Sequence, residues 1–290
     1  MKHFYSLLVL FLLLGMKAGS QNPITLTDDT LHLATGTVPA FSVVIPETDY
    51  ETVTKDWIKL LQSGTKSKVV QKGNSIHIFG ARVKPVSTNP VNIYSEVTDQ
   101  NDAVKVRAAF ETEKDNFLGK PEFANARKYL LDFGKEQYIA VVNDELSKQK
   151  KILRDLQGEL NSLERDQARM EKSDKDNAEK ITEENRNLAD LKDKLAGISD
   201  RNAQGDTAVT GMGAPSADEM KDLDKERKRL NRDIRSSEKS IDKAESEIAQ
   251  NKRDMPRNQS DQEEAKRKVK EQESVVQKVQ DKLDKIKSYN

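Results

Sequence analysis

After His3, the only side chains with unperturbed titration near neutral pH are His32 and His77. Imidazole ligates metals and moves protons in that range. Neither histidine has a carboxylate or a second histidine at ligand spacing, and both fall in stretches that read as strands, so they are expected to line a sheet face. Asp28-Asp29 reads as a turn or bulge. Residues 99–102 read as a hairpin turn without the ordered ligands of a calcium loop. The chain has no cysteine, which removes thiol catalysis, thiolate metal sites and disulfides. Neither a glycine-rich phosphate loop, a Gly-x-Ser-x-Gly elbow nor a His-Glu-x-x-His pair occurs. No catalytic, cofactor-binding or metal-binding residue is assigned, no cofactor is expected, and the expected role is non-enzymatic.

More distinctive are amides and carboxylates at positions where a helix should be apolar. Gln167, Asp174, Asn177 and Glu184 form one set; Asn251, Asn258, Gln262 and Gln272 form the other. A polar residue in a helical seam fixes register at a cost in stability. These positions therefore set the register or mark a segment that opens to a partner, the alternative being a loosely paired, solvated stretch.

The elements that carry them follow from spacing. Counting in sevens from Leu146, one column reads Leu146, Leu153, Leu160, Gln167, Asp174, Ile181, Leu188, Leu195. The column three residues on reads Gln149, Leu156, Leu163, Met170, Asn177, Glu184, Leu191, Ile198. Apolar residues alternating at three and four, with charge between, specify a coiled-coil helix, here roughly 80 Å long at about 1.5 Å per residue. The helix is expected to begin near Lys120-Pro121, since proline suits a first helical position, and to pass Gly134 at a cost of about 1 kcal/mol against alanine. Residues 199–216, rich in Gly, Asn, Asp, Thr and Ser and without period, read as a flexible loop.

A second arm starts at Ser216, whose spacing to Glu219 is that of a capping box. Its columns run from Met220 to Leu283 and from Leu223 to Ile286. The short loop favours an antiparallel hairpin. Setting Ile198 opposite Met220 puts Gln167 opposite Asn251, leaves Asp174, Asn177 and Glu184 facing Ala244, Ile241 and Ile234, and returns Ile286 beside Asp132. Pro256 removes a helical hydrogen bond and is expected to break or kink this arm. A dimer with arms paired between chains would bury the same seams, so a homo-oligomer is the alternative assembly.

Ahead of the arms lies a small head. It holds nearly all the aromatics of the mature chain; after Tyr138 only Tyr289 remains. Alternation marks strands at 24–26, 31–33, 40–45, 68–71, 75–79, 81–84, 91–97 and 104–110. Between them, Thr48 and Glu51 have capping-box spacing before a helix whose apolar face is Tyr50, Val53, Trp57, Leu60 and Leu61. The expected fold class is α+β: a mainly antiparallel sheet with covering helices, followed by a long antiparallel coiled-coil hairpin. The expected domains are a signal peptide 1–20, a head 21–145 and a hairpin 146–290 with its loop at 199–216.

Composition agrees with an elongated protein. Charged residues make up 34 % and aromatics 5 %, and the mean hydropathy is −0.80. Lys+Arg and Asp+Glu both number 49, which gives no basic footprint for nucleic acid. The amino terminus reads as a signal peptide. Lys2 and His3 precede an apolar run at 4–14, and Ala18-Gly19-Ser20 places cleavage before Gln21, an uncleaved anchor being the alternative. No membrane span is expected after cleavage, and the mature protein is expected to be secreted or periplasmic.

Residues 40–46 (Ala-Phe-Ser-Val-Val-Ile-Pro), Lys55-Asp56-Trp57, residues 65–69 (Thr-Lys-Ser-Lys-Val) and residues 89–94 (Asn-Pro-Val-Asn-Ile-Tyr) carry a resemblance. The head resembles uncharacterised secreted proteins of the Bacteroidota that join a small head to a charged helical tail, and Gln21 after the cleavage site suits that group. The resemblance implies an architecture and a compartment, and it carries no activity and no functional residue. The expected function is a coiled-coil scaffold or spacer that presents a protein-binding surface to an envelope or extracellular partner. A periplasmic holdase-type chaperone with an α-hairpin tentacle is the alternative, although the apolar residues of the tip are few (Val209, Met212).

Overall fold

The computed structural model describes residues 24–113, 116–118, 120–207 and 216–288. The signal-peptide reading and the tip residues Val209 and Met212 lie outside the described residues. Strands β1 (Thr25–Leu33), β2 (Gly36–Pro46), helix α1 (Tyr50–Gln62), β3 (Val69–Lys72), β4 (Ser75–Ala81), β5 (Val91–Gln100), β6 (Ala103–Glu113) and β7 (Asn116–Phe117) are followed by two long helices. These are α2 (Lys120–Thr207) and α3 (Ala217–Ser288). The chain divides into two compact units: Ile152–Gln272, and the head together with Glu273–Asn290.

In the head unit every strand pairing is antiparallel, in the order β1-β2-β6-β5-β4-β3, with β7 beside β6. Two-residue connections fix the register at three hairpins, where Leu33 opposes Gly36, Lys72 opposes Ser75 and Gln100 opposes Ala103. Such turns need positive φ, which Gly73 (59°) and Asn101 (38°) supply. The strand expected at 81–84 stops at Ala81, which pairs with Val91 just after a register irregularity between Ile78 and Ala81. The cap of α1 is also one residue later than expected. Asp49, not Thr48, accepts from the Thr52 N–H at 2.8 Å.

Alternation sorts the strands into two faces. Val104, Val106, Ala108 and Phe110 point into a core shared with α1 and the start of α2. Trp57 is fully buried there, and its indole N–H donates to Ser95 Oγ at 2.9 Å, which in turn donates to the Ile76 carbonyl at 2.9 Å. An aromatic side chain so deep needs such a partner for its polar end. Gly134 lets α2 lie close to the sheet, since a Cβ at this position would stand 2.7 Å from Val43 Cγ2. Val279, Leu283 and Ile286 of α3 complete the same core.

In the other unit the two helices pair antiparallel, and α2 runs on as helix to Thr207. The loop expected at 199–216 is thereby corrected over its first nine positions. Ile198 is buried against Leu230 and Ile234, whereas Gly197 faces open space, so the glycine costs only propensity and does not interrupt the seam. Ser216 caps α3 as expected: its N–H meets Glu219 Oε2 at 2.7 Å and its Oγ accepts from the Glu219 N–H at 3.3 Å. Helix α3 is unbroken at Pro256. Pro256 is exposed, so the Lys252 carbonyl it leaves unpaired can turn to solvent.

Candidate functional site

The polar seam positions come together, in a register other than the one simplest to draw. Asn187 Nδ2 donates to Ser237 Oγ at 3.2 Å and Asn177 Nδ2 to Glu247 Oε2 at 3.0 Å. The pairing thus lies about one heptad from that in which Ile198 faces Met220. In consequence Asn251 does not meet Gln167. Its Nδ2 donates to Asp174 Oδ1 at 2.7 Å and to the Met170 carbonyl at 3.4 Å. Gln167 Oε1 instead accepts from Gln262 Nε2 at 2.7 Å, while Gln167 Nε2 donates to Glu171 at 2.7 Å. Asn258 Nδ2 reaches the Leu163 carbonyl at 3.1 Å, and its Oδ1 accepts from Gln262 at 2.7 Å.

The expectation that Asp174 and Asn177 go unsatisfied is therefore wrong. Glu184 alone among those three makes no hydrogen bond among the described residues, and it is half-buried. One column of α3 explains the geometry: Ser237, Ala244, Asn251, Asn258 and Ala265 replace large apolar residues over four heptads. Small side chains bring helix axes closer, so an amide on one helix can reach a backbone carbonyl on the other. Ser237, Asn258 and Gln262 are buried, and each is bonded, as burial of polar groups requires.

Toward one end of this unit the seam is apolar: Leu191, Ile198, Leu230 and Ile234 cluster, with Leu188, Leu195 and Leu223 against them. A dry apolar segment thus adjoins a bonded polar one in the same pair of helices.

In the head unit, the outer face of the sheet holds a concavity of about 770 Å³ whose lining includes Leu31, His77, Tyr94, Arg107, Glu111 and Phe117. Glu111 is buried, and its Oε2 accepts from Asn92 Nδ2 at 2.8 Å and the Tyr94 hydroxyl at 3.0 Å. The His77 ring meets Tyr94 edge-on at 5.4 Å. His32 lines the same concavity, and its Nδ1 lies 2.8 Å from Thr37 Oγ1. Both histidines lie in strands, as expected, and no ring contact or bond joins them. Asp29 is a strand residue rather than a turn, bridged to Lys105 Nζ at 2.7 Å. Burial acts to raise its pKa, but the Lys105 ammonium and the Thr30 N–H outweigh it and hold the carboxyl below the ordinary value.

Sequence reasoning missed a cluster at the end of β2. Glu47, at φ 58°, accepts from the Tyr138 hydroxyl at 3.1 Å and from Lys282 Nζ at 2.5 Å. Lys282 also lies 3.5 Å from Glu145 and 5.5 Å from the centre of the Tyr138 ring. Burial, then the Glu47 carboxylate, pushes the Tyr138 phenol up to about 12, with Lys282 opposing. Burial works against the charge on Lys282, yet Glu47, Tyr138 and Glu145 together raise its pKa. The signal was weak because the partners are remote in sequence; only the two apolar columns ending in Leu283 and Ile286 hinted that this end of α3 is anchored.

Among the described residues no helix is long and apolar enough to cross a membrane, and no group of three or more metal-ligating side chains occurs. No protein-family model matches the chain, and no curated protein matches it.

Proposed function

We propose that the protein is a secreted or periplasmic, non-enzymatic scaffold whose helical hairpin is a spacer and which presents a protein-binding surface to an envelope or extracellular partner. The observation that carries this reading is the mutual satisfaction of the seam. Asn251 with Asp174, Asn177 with Glu247, and Gln262 with Gln167 and Asn258 bond to one another within one chain. A helix pair whose buried groups are already partnered is suited to hold a fixed length, whereas a client-gripping tentacle needs unsatisfied apolar surface. The amino-terminal apolar run at 4–14 supports export.

Crosslinking mature protein in native envelopes or culture medium, followed by mass spectrometry of what is captured, tests the reading. One folded partner in defined stoichiometry is the expected result. A broad set of unfolded secreted or outer-membrane proteins would replace the scaffold with a holdase-type chaperone.

A further inference from the structure

The sheet ends at β3, whose second edge has no strand beside it among the described residues. An open edge is a row of backbone donors and acceptors ready to pair. This one is dressed unusually. Between Asp56 and Glu96 the chain carries Lys59, Lys66, Lys68, Lys72, Arg82 and Lys84 and no acidic side chain. Elsewhere acids and bases interleave; here the six cations are exposed, and no ion pair is found for any of them among the described residues.

Their placement follows from the pairing of β3 with β4. Val70 opposes His77, so alternation puts Val70 and Lys72 on the outer face, and the exposed Lys68 immediately precedes the strand, so that a cation stands two residues to each side of an apolar residue. Val70 is 56 % exposed, and Phe79, on the same face of β4, is 52 % exposed. Ser67 Oγ donates to the Gly80 carbonyl at 3.4 Å, which brings the Lys66–Lys68 stretch alongside the approach to Arg82. The opposite edge of the sheet differs. On β1, Asp28 and Asp29 are both ion-paired, to Arg127 and Lys105.

We propose that the β3 edge accepts an acidic, extended segment of a partner protein as an added strand. This rests on the presenting role proposed above and names its surface and the chemistry of its partner. Main-chain hydrogen bonds along the edge give the attachment, and alternate side chains give selectivity. The pattern demanded of the partner is an acid, any residue, an apolar residue, any residue and an acid, the acids opposite Lys68 and Lys72 and the apolar residue over Val70 and beside Phe79. Lysines on an edge also deter edge-to-edge pairing, but deterrence alone gives no role to the two exposed apolar side chains between and beside them. Those side chains favour a peptide over a simple polyanion.

The test uses the full mature chain and a short synthetic peptide alternating glutamate, threonine and valine, with fluorescence anisotropy as the readout. The peptide should bind, and raised salt should weaken it. Lys68→Glu/Lys72→Glu should weaken binding at least tenfold with an unchanged circular dichroism spectrum, and should gain affinity for the same peptide carrying lysine in place of glutamate. Backbone N-methylation of the peptide should abolish binding. Absent binding, or binding that the double variant or N-methylation leaves intact, overturns the proposal; a heparin fragment that binds as tightly as the peptide reduces the edge to a general polyanion patch and overturns it too. The two readings fail separately. If the double variant still captures a stoichiometric partner from envelopes, the scaffold stands and the β3 edge is not its surface. If the peptide behaves as stated but no stoichiometric partner is captured, the edge stands and the scaffold falls.

Discussion

Replacing Gly134 by alanine tests the packing of α2 on the sheet, because two effects of opposite sign meet at one atom. In an open helix the change gains about 1 kcal/mol from propensity. Here the new Cβ would stand 2.7 Å from Val43 Cγ2 and 3.3 Å from Ile24 Cγ2. Val43 is fully buried and, being β-branched, has little rotamer freedom to move aside. Overpacking a close-packed core costs about 1–3 kcal/mol, so the net expectation is a loss of about 1 kcal/mol. Trp57 is the only tryptophan and lies in this core, so its fluorescence during urea unfolding reports the head unit alone. Val43→Ala removes the methyl groups that crowd the site. The double variant should be less destabilised than the sum of the single changes, with a coupling of about 1 kcal/mol or more. A Gly134→Ala protein more stable than the parent, with no coupling to Val43, would refute the reasoning.

Two further outcomes follow from the site geometry. An Asn187→Cys/Ser237→Cys pair should oxidise readily to an intrachain disulfide, since those side chains touch at 3.2 Å, while Asn187→Cys/Asn231→Cys, matched to the register with Ile198 opposite Met220, should not; mobility on non-reducing gels reads both. In alkali, Tyr129 and Tyr138 both keep their protons to about 12, for Tyr129 because of burial and then Glu136. The folded head therefore binds more protons than the unfolded chain between pH 10 and about 12, and stability falls as pH rises through that window. Lys282, also raised, acts in the same direction: its contribution is complete below its unfolded value and is lost above it. Trp57 fluorescence against pH reads the loss, and a midpoint that Tyr138→Phe leaves unmoved would argue against it.

Much of the head was legible. Period-two alternation and tight turn residues place β2, β3, β4, β5 and β6 to within a few positions, and the aromatic face around Trp57 locates the core. What alternation does not carry is strand order, since β2 pairs with β6 across 56 intervening chain positions between Pro46 and its partner Ala103 and no local signal marks that contact. The Glu47–Tyr138–Lys282 cluster was invisible for the same reason. In the hairpin, composition misled at one end: Gly197 and the polar residues after it suggest a loop, but a helix stops where its buried face stops, and Ile198 is still buried.

The register of the hairpin is the more instructive error. A heptad pattern slid by seven residues still puts apolar columns together, so hydrophobicity cannot choose between the two pairings. The polar positions can. Gln167 and Asp174 lie one heptad apart in one column, and Asn251 has a partner in either register. Set opposite Gln167, it leaves Asp174, Asn177 and Glu184 against apolar or small residues. Set opposite Asp174, it frees Gln167 for Gln262 and brings Asn177 to Glu247. Burying an unpaired polar group costs about 1–3 kcal/mol, so the second arrangement is preferred by several such terms. The amides are thus a register code that needs all of its members to be read.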